Sequence, residues 1–509
     1  MATSDTDRSA SAPNVLVIMM DDMGYSDIGC YGGDIETPNI DGLAENGLRF
    51  SNFYNTGRCW PTRSSLLTGY YAPQVRMDPP AGHRSRPAWQ RLLPHYLKQC
   101  GYRSYHSGKW HVHNVTEAEK EGEFDISWGT EIEQGKHFFG AEGDKAFSST
   151  AITDHALDCL REHETNHKGT PFFHYVAYTA PHFPVQAEQA DIDKYIDRYN
   201  EGWDVMRERR WQRLRDMGLV DCDLSAREPK VGSPWYREEF GERYGPGEVE
   251  YPVAWEALTD EQKRFQATKM AIHAAMIDRT DREIGRLLDQ LRAMNAYEDT
   301  LVLFLSDNGA SAEILIRAGG HDPTAPAGSE ATHLCLGAGW STCCNAPFRR
   351  HKIWVHEGGV ATPLVAHWPN GIPARGELCH DAGHVVDFLP TILELAGMPP
   401  EDIPLPSGAP KLPGESLVPA LTGEGTVDHA HIYFHHSGNR ALRVDNWKIV
   451  SGSEKPEGTP DDQWALYDLS TDRCEMVDRA AERPEKLRDM QREWEALEST
   501  YRSDPDRGA

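Results

Sequence analysis

Asn14-Val15-Leu16-Val17-Ile18-Met19-Met20-Asp21-Asp22 decides the fold. After Asn14 the run is apolar without a break, and it stops at two carboxylates. A strand with one wet face alternates polar and apolar residues. An unbroken apolar run of this length instead reads as a strand buried on both faces of a parallel sheet. Residues 172–177, 301–305 and 364–367 read the same way, and 102–106 as a shorter strand. Helices are expected between them. Residues 38–44 open with Pro38 and carry Asp41, both suited to a first helical turn. Residues 63–69 form a helix begun directly after Cys59 and ended by Gly69. Another spans 89–100. In 260–294, Met270, Ala274, Ile277, Ile284, Leu287, Leu288 and Leu291 fall near helical spacing.

Strands alternating with helices predict an α/β fold: a large mixed, mostly parallel sheet sandwiched by helices. In such sheets ligands gather beyond the carboxyl ends of the strands. Asp21-Asp22, His182 and Asp307-Asn308 all follow strand ends. Residues 187–256, charged and rich in Arg and Glu, read as an insertion or lid over the sheet, and 310–345 as a second irregular loop. The Pro-rich stretch 399–414 marks a boundary. Beyond it, 432–434, 441–444, 447–450 and 464–467 read as antiparallel strands, followed by a helix over 485–501. The expected organisation is a disordered 1–13, a catalytic domain over 14–405 and a smaller C-terminal subdomain over 406–509, an antiparallel sheet plus helix.

The chain has 509 residues, too many for one growing core, and a net charge of 52 − 79 = −27. That acidity argues against a nucleic-acid partner, which needs a basic footprint. It fits a soluble, self-repelling surface. No segment reaches the length of a membrane span, so no membrane partner is expected. The start lacks the basic and apolar regions of a signal peptide, which reads as cytoplasmic as written, or as periplasmic or secreted after removal of a signal. Ten Cys in so long a chain do not make a disulfide scaffold.

Asp21, Asp22, Asp307 and Asn308 offer only oxygen ligands, the preference of hard divalent cations such as calcium. Each pair alone reads as an ordinary strand-end turn; together, at the ends of two buried strands, they read as a metal site. Cys59 stands in Cys59-Trp60-Pro61-Thr62-Arg63. Lys109 and His111 stand in Gly108-Lys109-Trp110-His111, His182 in Pro181-His182-Phe183-Pro184, and Lys352 five residues before Glu357-Gly358-Gly359. His113, His351 and His356 read as solvated loop residues. His333, Cys335, Cys343 and Cys344 match no familiar zinc spacing, so buried or loop thiols are expected there. Tyr175, Tyr178 and Phe183 read as core and pocket wall.

These motifs, in this order over residues 14–370, resemble the formylglycine-dependent, arylsulfatase-like sulfatases of the alkaline phosphatase superfamily. The resemblance implies that a formylglycine-generating enzyme converts Cys59 to formylglycine, whose hydrate is a geminal diol. One hydroxyl, bound to a single calcium ion held with Asp21, Asp22, Asp307 and Asn308, attacks the sulfur of an aryl or sugar sulfate. His182 and Lys352 stand near the leaving oxygen, with His182 as general acid. His111 takes the proton of the second hydroxyl as sulfate departs. Arg63 and Lys109 steady the diol and the bound sulfate. Thr62 replaces the commoner Ser, Trp60 is bulky, and Thr362 stands before Pro363 where many relatives carry Arg. Two other functions fit the same pattern: a phosphodiesterase or phosphonate monoester hydrolase on the same fold, and a silent sulfated-glycan-binding protein with unmodified Cys59.

Overall fold

The computed structural model describes residues 12–78, 86–129, 137–139, 146–317, 320–452 and 463–503. Residues 1–11, most of the segment expected to be disordered, lie outside the described residues. The strands are β1 (Asn14–Met20), β2 (Leu48–Tyr54), β3 (Arg103–Gly108), β4 (Ile126–Trp128), a two-residue ribbon of β5 (Phe138–Phe139) and β6 (Ala146–Phe147), β7 (Phe172–Ala177), β8 (Thr300–Ser306), β9 (Ala361–His367), β10 (Glu377–His384), β11 (Ile432–His436), β12 (Asn439–Val444), β13 (Trp447–Ser451) and β14 (Ala465–Asp468).

Eight of them form one sheet in the order β10-β2-β9-β8-β1-β7-β3-β4. Only the β2–β9 and β8–β9 pairings are antiparallel, so β9 alone runs against the rest. This is the mixed, mostly parallel sheet expected from the sequence. Its two faces explain the unbroken apolar run. Leu16, Ile18 and Met20 pack into one layer, with Met270, Ala274 and Ile277 of the helix Asp260–Ala293 and Ile152 and Leu160 of the helix Ser148–Asn166. Val15, Val17 and Met19 pack into the other, with Leu66 and Leu67 of the helix Cys59–Thr68 and Phe388 and Leu389 of the helix Phe388–Leu395. Burying a side chain of this size contributes about 1.5–3 kcal/mol.

The expected helix over 89–100 is shorter: an α-turn at Leu93–Leu97 runs into a 3-10 turn at Lys98–Cys100, with Pro94 near its start, where a missing N–H costs nothing. The stretch 187–256 is not featureless, since it contains the helix Gly202–Asp216, which buries Trp203, Met206 and Leu214. The loop 310–345 ends in the helix Ala338–Cys344.

The four strands β11 to β14 make a separate antiparallel sheet. The helix Pro484–Tyr501 covers it, with Met490 and Trp494 packed on Tyr433, Leu442, Ile449 and Leu466. A second link ties this part to the insertion. Cys222 and Cys474 are both buried, and their sulfurs lie 3.4 Å apart. A disulfide needs about 2.05 Å, a small closing movement. In chain folded in an oxidising medium, a small-molecule disulfide donor is expected to take two electrons and two protons from this pair. Peptide mapping without reductant should recover residues 222 and 474 cross-linked; alkylation of both thiols in such material would refute the expectation.

Candidate active site

The carboxyl ends of β8, β1, β7 and β3 are neighbours along one edge. Asp307 and Asn308 follow β8, Asp21 and Asp22 follow β1, His182 lies in the turn after β7, and Lys109 and His111 follow β3. Strand β2 points the same way and leads to Cys59. The reversed β9 begins at this edge, so the segment that enters it, with Lys352 and Glu357, arrives there too. The topology therefore brings to one edge the segments that carry the catalytic and metal-ligand candidates of the sequence.

Backbone bonds lace these loops. Lys352 N donates to Ala310 O at 3.2 Å and Ile353 N to Gly57 O at 2.7 Å. Gly309 N donates to Gly359 O at 3.0 Å, and a Cβ on Gly309 would stand 1.9 Å from Gly358 O. The glycines of Asp-Asn-Gly and Glu-Gly-Gly thus allow two backbones to touch. Asp22 (φ 67°) and His111 (φ 52°) occupy the left-handed region, an arrangement that the surrounding bonds must hold.

Cys59 is the first residue of its helix, after Arg58 in extended conformation, and Gly69 (φ 73°) closes it. The thiol is buried, and burial pushes it up against the opposing pull of Lys109 and Lys352. As a thiol it is a poor nucleophile. Thr62 is buried as well. Its hydroxyl accepts from Thr56 N at 3.1 Å and pairs with Thr56 Oγ1 at 2.9 Å, so Thr62 keeps the hydroxyl that a Ser would supply and uses it to hold the turn before the helix. Thr362 likewise bonds β8, with Ser306 N donating to its Oγ1 at 2.9 Å.

Arg63, fully buried, grips Asp307 Oδ2 through Nη2 at 2.6 Å and Nε at 2.9 Å, and its Nη1 donates to Lys109 O at 3.1 Å. Lys109 Nζ lies 2.5 Å from Asp21 Oδ2. Lys352 Nζ lies 2.8 Å from Asp22 and 3.0 Å from Glu313 Oε2. Asn308 Nδ2 donates to Asp22 Oδ1 at 2.7 Å, and Asp22 N to Asp307 Oδ1 at 3.2 Å. Burial pushes Asp307 up to about 7, with the charge of Asp21 adding to it. Burial also opposes ionisation of Asp21, but Lys109, then His182 and Arg63, hold that carboxyl below its ordinary value.

The donor set fits a hard divalent cation. Two buried oxygens in the cluster, Asp21 Oδ1 and Asn308 Oδ1, have no hydrogen-bond partner among the described residues. Oxygens of Asp21, Asp22 and a nitrogen of His182 lie within 4.8 Å of one another, as do ligand atoms of Asp21, Cys59 and Asp307. Crowded buried carboxylates with orphaned oxygens are what a cation would satisfy. The loop set His333, Cys335, Cys343 and Cys344 forms no such cluster among the described residues, and its three thiols are buried as expected; Cys344 instead neighbours Asp27 and His273.

His182 Nδ1 lies 2.6 Å from Phe183 O. A carbonyl can only accept, so Nδ1 carries the proton and Nε2 turns its lone pair towards Asp22 Oδ2, 3.6 Å away. Burial, then Lys352, pushes His182 well below its ordinary value. Burial and Lys109 do the same to His111. Lys352 is shifted the other way: burial opposes its charge, but Asp22 and Glu313 raise it, so it keeps its proton at neutral pH.

His351 and His356 are not solvated. Both are buried, and His351 Nδ1 pairs with Ser341 Oγ at 2.8 Å. The apolar neighbours Ile353, Trp354 and Val355 carry that segment through the interior. His113 is exposed, as expected. Tyr175 and Tyr178 are core, while Phe183 lies beside the site with its ring 5.5 Å from Lys352 Nζ. Three residues escaped the sequence reading. Glu313 is buried with Lys352. Arg58 lies 4.4 Å from the ring of Trp60 and 6.0 Å from that of Trp235, and Trp235 comes from the 187–256 insertion. None stands in a motif; only the position of Glu313, just past Asp-Asn-Gly, hinted at the site.

A family model described as Sulfatase matches residues 13–398, the span that holds this whole cluster. An uncharacterised sulfatase of Schizosaccharomyces pombe is 30% identical over 96% of this chain and 93% of its own length. The arylsulfatase of Klebsiella aerogenes is 29% identical over 76% of this chain and 87% of its own. The crystal structure of Ps i-CgsB in complex with k-i-k-neocarrahexaose shares the fold, with a TM-score of 0.64 at 21% identity, covering 97% of this chain and 94% of that one. Among the described residues no helix is long and apolar enough to cross a membrane. With the matched span, the relatives and the fold in agreement, the chain belongs to the sulfatase family and is a sulfate-ester hydrolase.

Proposed function

We propose that this sulfatase cleaves an aryl or carbohydrate sulfate to the alcohol and inorganic sulfate, using formylglycine made from Cys59 by a formylglycine-generating enzyme, and one calcium ion. The observation that carries the reading is the meeting of Cys59 with four oxygen ligands, two lysines and Arg63 at one sheet edge. The formylglycine supplies the nucleophile, and the cation supplies charge stabilisation.

Asp21, Asp22, Asp307 and Asn308 would hold the cation, with residue 59 beside them. Four carboxylates (Asp21, Asp22, Asp307, Glu313) face four cations (Arg58, Arg63, Lys109, Lys352). A divalent cation therefore leaves the pocket positive, suited to a singly charged ester. Arg63 and Lys109 orient residue 59 and the sulfate oxygens. Lys352 brings a positive charge to the leaving oxygen. His182 acts as general acid in its charged form, which the negative charge of a bound ester favours against burial. His111, held neutral by burial and Lys109, would accept a proton from residue 59.

Three measurements test this together. Peptide mass spectrometry across residue 59 of protein from its native host is expected to show an aldehyde in place of the thiol. Chelation should abolish turnover and calcium should restore it. An aryl sulfate should turn over faster than an aryl phosphodiester. Faster phosphodiester turnover would favour the phosphodiesterase reading, and an intact thiol in native protein would favour a silent binding protein.

A further inference from the structure

Glu313 has no part in that chemistry, yet its carboxylate is spent wholly inside the pocket. It is buried six residues beyond Asp307, in the loop after β8. Its Oε2 lies 3.0 Å from Lys352 Nζ and accepts from Ser311 Oγ at 2.9 Å. Its Oε1 accepts from Trp235 Nε1 at 2.9 Å and lies 3.7 Å from Arg58 Nη2. Lys352 thus stands between two carboxylates, Asp22 and Glu313. Asp22 belongs to the proposed cation set; Glu313 does not, so its Oε2 holds Lys352 without also binding the cation.

A lysine ammonium is a compact charge on a flexible four-carbon stem. Its value to a transition state depends on being held where charge develops. The ring of Phe183 bounds Lys352 on another side, at 5.5 Å. Glu313 is itself fixed by Ser311 and by the indole of Trp235, which the 187–256 insertion supplies. We propose that Glu313 is a positioning residue for sulfate-ester cleavage: it aims Lys352 at the leaving-group oxygen, and the Trp235 N–H ties that aim to the insertion over the pocket. The inference rests on the sulfatase reading, with Lys352 beside the leaving oxygen.

The consequence is specific. A good leaving group departs with little help, whereas a poor one needs a proton or charge at its oxygen. Loss of positioning should therefore steepen the dependence of rate on leaving group, not lower all rates alike. The test is kcat and KM for Glu313→Gln and Trp235→Phe over a series of aryl sulfates, from 2,4-dinitrophenyl to unsubstituted phenyl sulfate. The enzyme must be matured and loaded with calcium. Glu313→Gln is expected to cost less than about threefold in kcat on the dinitrophenyl ester and on the order of 10²-fold on the phenyl ester, the scale of losing one well-placed charge-stabilising donor. KM should change little. Trp235→Phe removes one N–H bond to Glu313 and should give the same trend at about tenfold or less; it also serves if Glu313→Gln folds poorly. An equal loss across the series in both variants, or a change confined to KM, overturns the proposal. No turnover by wild-type protein that carries the aldehyde would instead overturn the sulfatase reading beneath it.

Discussion

Cys59→Ala is expected to abolish sulfate-ester turnover, with kcat falling on the order of 10⁴-fold or more, the scale of removing a catalytic nucleophile. The fold should survive. Cys59 is buried at the start of a helix whose Leu66 and Leu67 anchor one core layer. The substitution removes one sulfur atom and leaves both leucines in place. Its cost should lie below the 2–5 kcal/mol typical of deleting a whole buried leucine side chain. The proposed cation ligands Asp21, Asp22, Asp307 and Asn308 also remain, so calcium should still bind, more weakly. Three readings on one preparation separate the effects: kcat on an aryl sulfate, the thermal midpoint, and calcium binding by calorimetry. The wild type beside it must be active and carry the aldehyde. Turnover retained by the alanine variant would remove residue 59 from the chemistry. A collapsed midpoint would show that the loss came through folding.

The central strands were legible because both their faces are dry. Val15 to Met20 supply one core layer with even residues and the other with odd ones, and no polar residue interrupts. β2 and β10 were not legible for the opposite reason. In Leu48–Tyr54, Arg49 reaches out to Cys30 O and Gly376 O, and Asn52 to His380 O. In the edge strand Glu377–His384 six of the eight positions are half-buried or exposed, so the apolar run never forms. The helix Ser148–Asn166 did carry a signal, since Ile152, Ala156, Cys159, Leu160 and His163 face inward at helical spacing, but its polar surface outweighs them.

The site divides in the same manner. Asp21, Asp22, Asp307 and Asn308 announce themselves because strand ends fix them within one or two residues of an apolar run. Glu313, Arg58 and Trp235 meet only through long-range packing; Trp235 and Glu313 are 78 positions apart. Nothing local marks such a contact. His351 and His356 show the converse error, since a histidine beside a motif looks like a loop residue until the depth of the loop is known.

Glu357 gives the second large effect, on stability. The sequence shows it as one letter of Glu-Gly-Gly; the structure makes it the joint between the two sheets. It is fully buried. Its Oε1 lies 2.8 Å from Lys448 Nζ on β13, and its Oε2 accepts from Tyr54 Oη on β2 at 2.9 Å and from Arg473 Nε at 3.2 Å. Lys448 also lies 2.8 Å from Glu475 Oε1, and Glu475 Oε2 accepts from Glu357 N at 2.8 Å. Arg443 Nη1 donates to Tyr54 Oη at 2.7 Å. Removing one member of such a buried set strands its partners, which costs about 3–5 kcal/mol. Glu357→Ala leaves Arg473 without its carboxylate and Lys448 with one instead of two. Lys448→Met leaves Glu357 and Glu475 as neighbouring buried acids. Each single variant is expected to lose about that much in urea unfolding, and limited proteolysis should open the C-terminal sheet before the large one. The double variant Glu357→Ala with Lys448→Met should lose less than the sum of the singles, because each single leaves a charge that the other would have removed. Additive losses, or wild-type midpoints in both singles, would mean that the two sheets are held by packing alone. Lys352 lies five residues before Glu357 on the same segment, so loosening this joint should also lower turnover, and the size of that loss measures how far the small sheet supports the pocket.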